Sequence, residues 1–260
     1  MATDSAEGTF WDHLDILRTV IIKIIAVWCV ISVIVFFFKE EVFAFVLAPK
    51  EDDFILYQWM NAICARLDLQ PLPPFNVQLI NTGLAQQFLI HLKTAMCVGV
   101  VFSAPYALYE LFGFISPGLY EKERRYTSRI VVSGYLMFLA GLALAYLIIF
   151  PLTFQFLGTY QVAAEVENMI TLDSYMSTLL LMSLFMGIVC ELPVIAWLLG
   201  KMGVLGSCEM VRYRRHAIVV ILIIAAIITP TSDIFTLLVV SVPIWLLYEL
   251  SVVVVRKVNS

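Results

Sequence analysis

VVILIIAAIITPTSDIFTLLVVSVPIWLLYELSVVVV, residues 219–255, contains two apolar runs that meet at a short polar turn. Asp233 and Glu249 are the only charged residues in this stretch. Runs this apolar are typical of helices that cross a lipid bilayer. The turn, residues 229–233, is so short that the second helix must return beside the first. The stretch therefore predicts an antiparallel pair of membrane helices.

The composition of the whole chain agrees with a membrane protein. Of its 260 residues 62% are hydrophobic and 14% are charged, which is far from the average soluble domain. The net charge of −4 gives no basic field, so we expect no nucleic-acid partner. The first residues carry acidic side chains instead of the basic start of a signal peptide. We therefore expect the first apolar run to remain as an anchor.

Six apolar runs predict an all-α, polytopic fold with six transmembrane helices, forming one membrane domain over residues 1–260. We expect the third run to end at Pro151. The fifth run gives about 21 Å of helix, which is short for a hydrocarbon core of about 30 Å. The last hairpin is thus predicted to be short. The runs are residues 20–38, 88–112, 130–150, 174–199, 216–229 and 234–255.

Basic residues predict the orientation in the membrane. They cluster at both termini and in the second-to-third and fourth-to-fifth connections, whereas the opposite connections hold only Lys39, Lys50 and Arg66. Since lysine and arginine favour the cytoplasmic side, both termini should be cytoplasmic. The largest outer loop is residues 39–84. Its segment 54–69 predicts either an amphipathic surface helix or an ordinary packed loop helix.

Three glutamates fall inside the apolar runs, namely Glu110, Glu191 and Glu249. A charge at membrane depth costs about 2.5 to 3.5 kcal/mol on insertion scales. Each should therefore face the protein interior or a wet cavity, or carry a proton; Glu110 and Glu249 alternatively lie close enough to the interface to be solvated. We expect His91 and Lys93 to face protein or to reach the interface with their polar ends.

Enzyme templates find no match in the sequence. It has no phosphate-binding P-loop, no H-E-x-x-H pair and no G-x-S-x-G elbow, and its three histidines are scattered. The five cysteines have no metal-ligand spacing, and three of them lie in apolar runs. We expect no enzyme activity, no cofactor, no metal site and no disulfide.

Six short motifs occur in the order and spacing of one family, and the chain resembles TatC, a subunit of the twin-arginine protein translocase. The resemblance covers nearly the whole chain. It implies a core receptor for twin-arginine signal peptides of folded cargo, with single-span partners of the TatA and TatB type, self-association and energy from the proton gradient. The motifs are DHLDILR (12–18), SAP (103–105), FISPGLYEKERR (114–125), CELP (190–193), ITP (228–230) followed by Asp233, and PIWLLYE (243–249).

The same resemblance implies a recognition site at the N-terminal segment and the first cytoplasmic loop. Glu123 falls on the family's recognition glutamate, and carboxylates accept the forked hydrogen bonds that only arginine donates. Glu121 or Asp15 would help Glu123. Arg18 matches the family and is expected to orient the loop or to contact a carboxylate. The residues expected to shape the pocket are Phe114, Pro117 and Tyr120, and the outer-face candidates are Pro49 and Asp233.

Two departures from the family pattern lie in the first motif, where Ile16 replaces a glutamate and Val20 replaces a second arginine. Asp15 is one position earlier than the missing carboxylate, and a shift of one residue rotates a helical side chain by about 100°. After the last-hairpin aspartate, Leu237 replaces a residue that is usually polar.

Two other functions remain open from the sequence. The intramembrane glutamates could be coupling sites of a proton-driven small-solute transporter, although the repeated halves typical of that class are absent from the sequence. The chain could also be a membrane scaffold. Within the translocase reading, Glu191 is expected either in a groove for the apolar part of the signal peptide or, like Glu249, in a polar contact with a partner helix.

Overall fold

The computed structural model describes residues 10–51, 53–66, 78–115, 127–161, 168–229 and 233–259. For residues 10–13, 115, 127, 129 and 259 it describes the backbone only. The helices are α1 (Phe10–Phe37), α2 (Lys39–Leu47), α3 (Ile55–Arg66), α4 (Gln86–Ile115), α5 (Thr127–Leu144), α6 (Phe150–Thr159), α7 (Leu172–Val189), α8 (Leu192–Lys201), α9 (Ser207–Arg212), α10 (Arg214–Ile228) and α11 (Ile234–Asn259).

Three short elements join these helices. A 3-10 turn, Ala48–Lys50, follows α2, and a π-helical segment, Ala145–Ile149, links α5 to α6. The strands β1 (Leu79–Ile80) and β2 (Ile170–Thr171) form a parallel pair. This pair ties the segment before α4 to the segment before α7.

Neighbouring long helices run antiparallel, as their side-chain contacts show. Trp28 Nε1 in α1 donates to the Met96 carbonyl oxygen in α4 at 2.9 Å. Farther along α1, the Phe36 carbonyl oxygen lies 3.0 Å from Nε2 of His91, which is earlier in α4. Arg214 at the start of α10 contacts Glu249 late in α11. We call the end where α1 and α10 start and α4 and α11 finish the basic end, and the opposite end the acidic end.

Five helical segments of the described chain are long and apolar enough to cross a membrane. This confirms the predicted all-α, polytopic fold. α10 has 15 residues, which is about 22 Å of helix. It lies in the predicted antiparallel hairpin with α11, but the total of six spans stays a prediction. The five segments are Leu14–Phe37, Gln86–Phe114, Ile130–Thr159, Leu172–Lys201 and Ile234–Val258.

The predicted end of the third span at Pro151 is wrong, because the helix continues to Thr159. Proline lacks an N–H group and clashes with the carbonyl four residues earlier in a regular helix. Pro151 lies in the first turn of α6, directly after the π-helical segment. The wider turn there lets the span pass the proline without ending.

The fourth predicted span is interrupted at residues 190 and 191, where α7 ends and α8 begins. Pro193 explains the interruption, because it cannot donate to the Val189 carbonyl oxygen four residues earlier. α7 and α8 form the most buried of the five segments: 56% of their most apolar 18-residue stretch is buried. The corresponding share for the segment in α1 is 17%. The bundle is therefore built around α7.

The loop predicted from residue 39 begins as a helix, since α2 starts one residue after α1 ends. α3, which ends at Arg66, lies within segment 54–69, for which the sequence predicts a helix; residues 67–69 lie outside the described part. Tyr57 of α3 is buried, and its hydroxyl lies 3.3 Å from the Pro49 carbonyl oxygen and 3.2 Å from that of Pro151. The buried Pro49 thus belongs to the contact that joins α3 and the 3-10 turn to α6.

The main core surrounds the acidic-end half of α7. Tyr175 packs edge-on against Phe150 and Phe154 with ring centroids 5.0 Å apart in both pairs. Its hydroxyl donates to the Val46 carbonyl oxygen of α2 at 3.1 Å. Tyr175 therefore joins α2, α6 and α7 in one packed layer.

Candidate functional site

Helices α1 and α4 are held at close range along most of their length. Gly99 has no side chain, and a Cβ there would overlap Ser32 Oγ. The ring of His91 stacks on Phe36 with centroids 4.0 Å apart. His91 therefore faces protein, as expected. This packing sets the first turns of α1 beside the last turns of α4 at the basic end.

A polar cluster joins the two helices near that end. Lys23 Nζ of α1 lies 3.6 Å from Glu110 Oε1 of α4, and the Tyr106 hydroxyl donates to the same oxygen at 2.8 Å. The Lys23 side chain is 53% exposed and that of Glu110 is 16% exposed. Glu110 is thus a largely buried carboxylate with a cation beside it.

The predicted recognition residues of α1 lie on exposed surface. Asp15 and Arg18 are both exposed in the first turns of α1. Thr19 Oγ1 donates to the Asp15 carbonyl oxygen at 2.9 Å, within the same helix. Phe114, near the end of α4, is half-buried. The other candidates of the first loop lie outside the described residues: Pro117, Tyr120, Glu121 and Glu123.

Glu191 lies in the interruption between α7 and α8 and is 8% exposed. Its Oε1 has no hydrogen-bond partner among the described residues. Its Oε2 would lie 3.1 Å from a Cβ on Gly134 of α5, and Leu108 of α4 borders the same spot. A glycine at 134 therefore leaves the space that the carboxyl group occupies, between α4, α5 and the interruption.

An apolar cavity of about 610 Å³ lies farther toward the acidic end, walled by α2, α4, α5 and α7. Val101 lines it and is seven residues from Leu108, so both side chains lie on nearly the same face of α4. Leu142 of α5 also lines it and borders Gly187 of α7. The cavity and Glu191 thus belong to one seam between α4, α5 and α7.

Glu249 and Asp233 have defined partners elsewhere in the bundle. Arg214 Nη2 donates to Glu249 Oε2 at 2.7 Å, and the neighbouring Tyr248 hydroxyl donates to the Met210 carbonyl oxygen at 2.8 Å. Asp233 Oδ1 accepts the backbone N–H of Thr236 at 2.7 Å, which caps the start of α11. Among the described residues, the contacts of Glu249 and Asp233 are therefore separate from those of Glu110 and Glu191.

Lys93, near the start of α4, faces protein, which is one of the two arrangements expected for it. Its Nζ donates to Ser177 Oγ of α7 at 2.7 Å. Ser177 Oγ lies 3.5 Å from Asp173 Oδ1 one turn earlier. This chain of contacts ties α4 to α7 near the acidic end, far along both helices from Glu110 and Glu191.

Residues missed by the sequence analysis are those whose importance depends on packing. Lys23 belongs to the N-terminal basic residues that predict the orientation in the membrane, and the sequence patterns do not point to Tyr106 or Gly134. A lysine in one apolar run and a glutamate in another are a sequence signal for an ion pair inside a membrane. No sequence signal marks Gly134 as the neighbour of Glu191.

The fold and these clusters define a polytopic α-helical membrane protein that has polar groups within its bundle. A family model, "Sec-independent protein translocase protein (TatC)", matches residues 12–243. The TatC protein of Blattabacterium sp. subsp. Periplaneta americana is 29% identical over 258 residues, which cover 97% of this chain and 96% of that protein. The TatC protein of Koribacter versatilis is 34% identical over 255 residues, covering 94% of this chain and 83% of that protein.

A solved structure agrees with these sequence matches. The crystal structure described as "Twin Arginine Translocase Receptor- TatC" has a TM-score of 0.78 and 28% sequence identity, and the match covers 95% of this chain and 100% of that chain. The chain belongs to the TatC family.

Proposed function

We propose that this chain is the noncatalytic core receptor of a twin-arginine translocase, which binds twin-arginine signal peptides at its basic end and helps to move folded proteins across the membrane. The similar crystal structure is named a twin-arginine translocase receptor. The observation that carries the proposal is the contact of Lys23 with Glu110. The contact lies where the start of α1, with Asp15 and Arg18, is beside the end of α4, from which the chain leads to Glu123.

Recognition of the arginine pair rests on carboxylates in this proposal. Glu123 accepts forked, charge-assisted hydrogen bonds from a guanidinium group, and Asp15 or Glu121 assists it. Arg18 orients the loop or contacts one of these carboxylates. The pocket around them is shaped by Phe114, Pro117 and Tyr120.

The apolar part of the signal peptide enters the seam between α4, α5 and α7 in this proposal. Support comes from the cavity of about 610 Å³ in that seam, whose lining is almost wholly apolar. Glu191 lies at the basic-end side of the cavity with a carboxyl oxygen that no described residue satisfies. A polar group of the signal peptide or of a partner helix would donate the hydrogen bond that this oxygen lacks.

Six spans with both termini in the cytoplasm of a bacterial inner membrane complete the topology that we propose. Its partners are single-span subunits of the TatA and TatB type, further copies of this chain and membrane lipid, and the proton gradient supplies the energy. Exposed apolar side chains support the proposal of membrane partners. Val33 of α1 and Ile223 and Ile227 of α10 are of this kind. Large exposed apolar side chains of this kind contact lipid or another helix in a membrane.

Site-specific photocrosslinking of a twin-arginine signal peptide to this protein in membranes tests the receptor role. Probes placed around Glu123 should give strong crosslinks to the wild type. Glu123→Lys should abolish them by charge reversal, and a peptide with twin lysines should give none because lysine lacks the fork of donors. Asp15→Asn shows whether Asp15 supplies the carboxylate that Ile16 lacks.

The controls separate this function from the alternatives. A structural scaffold predicts that neutralising the basic-end carboxylates changes nothing, and a small-solute transporter predicts no arginine-dependent crosslink. Normal crosslinking and export in Glu123→Lys would refute the receptor site as assigned.

A further inference from the structure

Lys23 lies on the side of α1 that connects the exposed recognition residues to Glu110. Asp15, Thr19 and Lys23 follow one another at intervals of four residues, so their side chains form one slowly rotating stripe. Asp15 and Lys23 are about 12 Å apart along the axis at 1.5 Å per residue. Among the described residues, Glu110 is therefore the carboxylate that a cation would meet next when it moves from Asp15 along α1 into the bundle.

The contact between Lys23 and Glu110 is weakly held on the lysine side. The separation of 3.6 Å is too long for a direct hydrogen bond. The lysine side chain is 53% exposed, so solvent screens the attraction and hydrates the ammonium group when it leaves. Lys23 can thus move away from Glu110 at small cost.

The Glu110 carboxylate is held in one orientation, and its described contacts involve only one of its two oxygens. Within the described residues, both of its recorded contacts, with Lys23 and Tyr106, fall on Oε1. The Tyr106 hydroxyl at 2.8 Å holds the carboxylate in one orientation. A lysine ammonium acts as a single point of charge, whereas a guanidinium donates two parallel hydrogen bonds to both oxygens of a carboxylate.

We propose that Glu110 is a second arginine-binding carboxylate of the signal-peptide site and that Lys23 is its built-in competitor, which a signal-peptide arginine displaces and a lysine does not. This inference rests on the proposed receptor function. In this inference, Glu110 of α4 takes the place of the carboxylate that α1 lacks at Ile16.

The exchange discriminates between the two cations through simple competition. A signal-peptide lysine that replaces Lys23 forms the same kind of contact and gains nothing. A signal-peptide arginine gains binding free energy, because it forms two parallel hydrogen bonds with Glu110 where Lys23 formed a single point contact. Discrimination at this position therefore requires that the internal cation be a lysine, since an internal arginine would make the exchange neutral for arginine as well.

Three substitutions test the proposal. The measurement is the equilibrium binding of labelled twin-arginine and twin-lysine signal peptides to the full chain in lipid nanodiscs. Lys23→Met removes the competitor, so both peptides should bind about tenfold more tightly. Lys23→Arg keeps the charge but should weaken the twin-arginine peptide about fivefold and leave the twin-lysine peptide unchanged. Glu110→Gln should reproduce the Lys23→Arg result.

Matched controls come from Lys39, which is exposed at the acidic end. Lys39→Met and Lys39→Arg should leave both affinities as in the wild type. If Lys23 and Glu110 form only a structural ion pair, Lys23→Arg keeps wild-type affinity and Lys23→Met does not tighten binding; either result overturns the inference.

Failure of the inference can be told from failure of the receptor function. Loss of twin-arginine binding in Glu123→Lys together with wild-type affinities in the Lys23 and Glu110 variants refutes the competitor and leaves the receptor intact. A wild-type protein that binds both peptides equally refutes both. A thermal unfolding curve of each variant in nanodiscs identifies any change in affinity that comes from misfolding.

Discussion

Replacing Glu191 by leucine should make this protein more stable and less active. The carboxyl group is 8% exposed, and one of its oxygens has no partner among the described residues. Leucine has a similar volume and no polar atom to desolvate. If Glu191 serves the signal peptide or a partner helix, its replacement should remove function while it removes an unfavourable group from the bundle.

The size of the effect follows from the environment of the carboxyl group. A buried polar group without a partner costs about 1 to 3 kcal/mol, and a leucine at the centre of a membrane helix is favourable by about 0.3 to 0.6 kcal/mol. In the unfolded state the carboxyl group finds other polar partners, so the penalty belongs to the folded bundle, whereas a leucine lies in an apolar environment in both states and adds little. We expect Glu191→Leu to raise the free energy of unfolding by about 2 kcal/mol.

Unfolding of the purified protein in mixed micelles, with increasing denaturing detergent and tryptophan fluorescence as the signal, measures this change. Export of a folded twin-arginine substrate is measured on the same variants. Glu191→Gln is the matched control, because it keeps a polar group in the same space and should gain less than about 1 kcal/mol. A Glu191→Leu protein that is less stable than the wild type would refute the reasoning, since the carboxyl group would then make a stabilising contact.

Further predictions concern the packing of the bundle. Gly99→Ala should destabilise the protein by about 1 to 3 kcal/mol, because the added Cβ overlaps Ser32 Oγ; adding Ser32→Ala should recover part of the loss in the same unfolding assay. Arg214→Met and Glu249→Gln should show a coupling of about 0.5 to 1 kcal/mol in a double-mutant cycle, since the contact of 2.7 Å is half-exposed on the arginine side. Four leucines inserted in α10 should impair export and leave signal-peptide binding unchanged, if the short helix works by thinning the bilayer; unchanged export would exclude that role.

The spans were predictable because length and hydrophobicity alone decide whether a segment can cross a bilayer. The ends of the spans were less predictable, because they depend on how each proline is accommodated. Pro151 follows a π-helical segment and lies within a continuous span, whereas Pro193 follows an interruption. Both prolines stand in apolar runs, and their different outcomes depend on the backbone of the preceding turn.

The start of the outer loop shows a second limit of sequence patterns. The charged residues of KEE, residues 39–41, predict the end of the first span, and α1 does end at Phe37. The chain then continues as α2, because Val46 and its neighbours pack on Tyr175 and Phe150. Tertiary packing of this kind has no local sequence signal.

The candidate site was predictable in its residue types and not in its pairs. Glu110 was identified as expensive at membrane depth, but its contact with Lys23 depends on the register between α1 and α4. That register is set by Gly99 against Ser32 and by Trp28 against the Met96 carbonyl oxygen. Neither contact can be read from one sequence, since each depends on the rotation of both helices.

The three intramembrane glutamates differ in what surrounds them, and this difference ranks them as functional candidates. Glu249 has an arginine at 2.7 Å, so its charge is compensated within the chain. Glu110 has an exposed lysine at 3.6 Å, which is a partner that can be exchanged. Glu191 has no described partner for Oε1 and lies in the same seam as the apolar cavity, closer to the basic end. A buried polar group without a partner is unfavourable for folding, so Glu191 is the strongest of the three candidates for a contact with a ligand or partner. Glu191 and then Glu110 are therefore the positions at which a bound signal peptide should change the environment of the protein most.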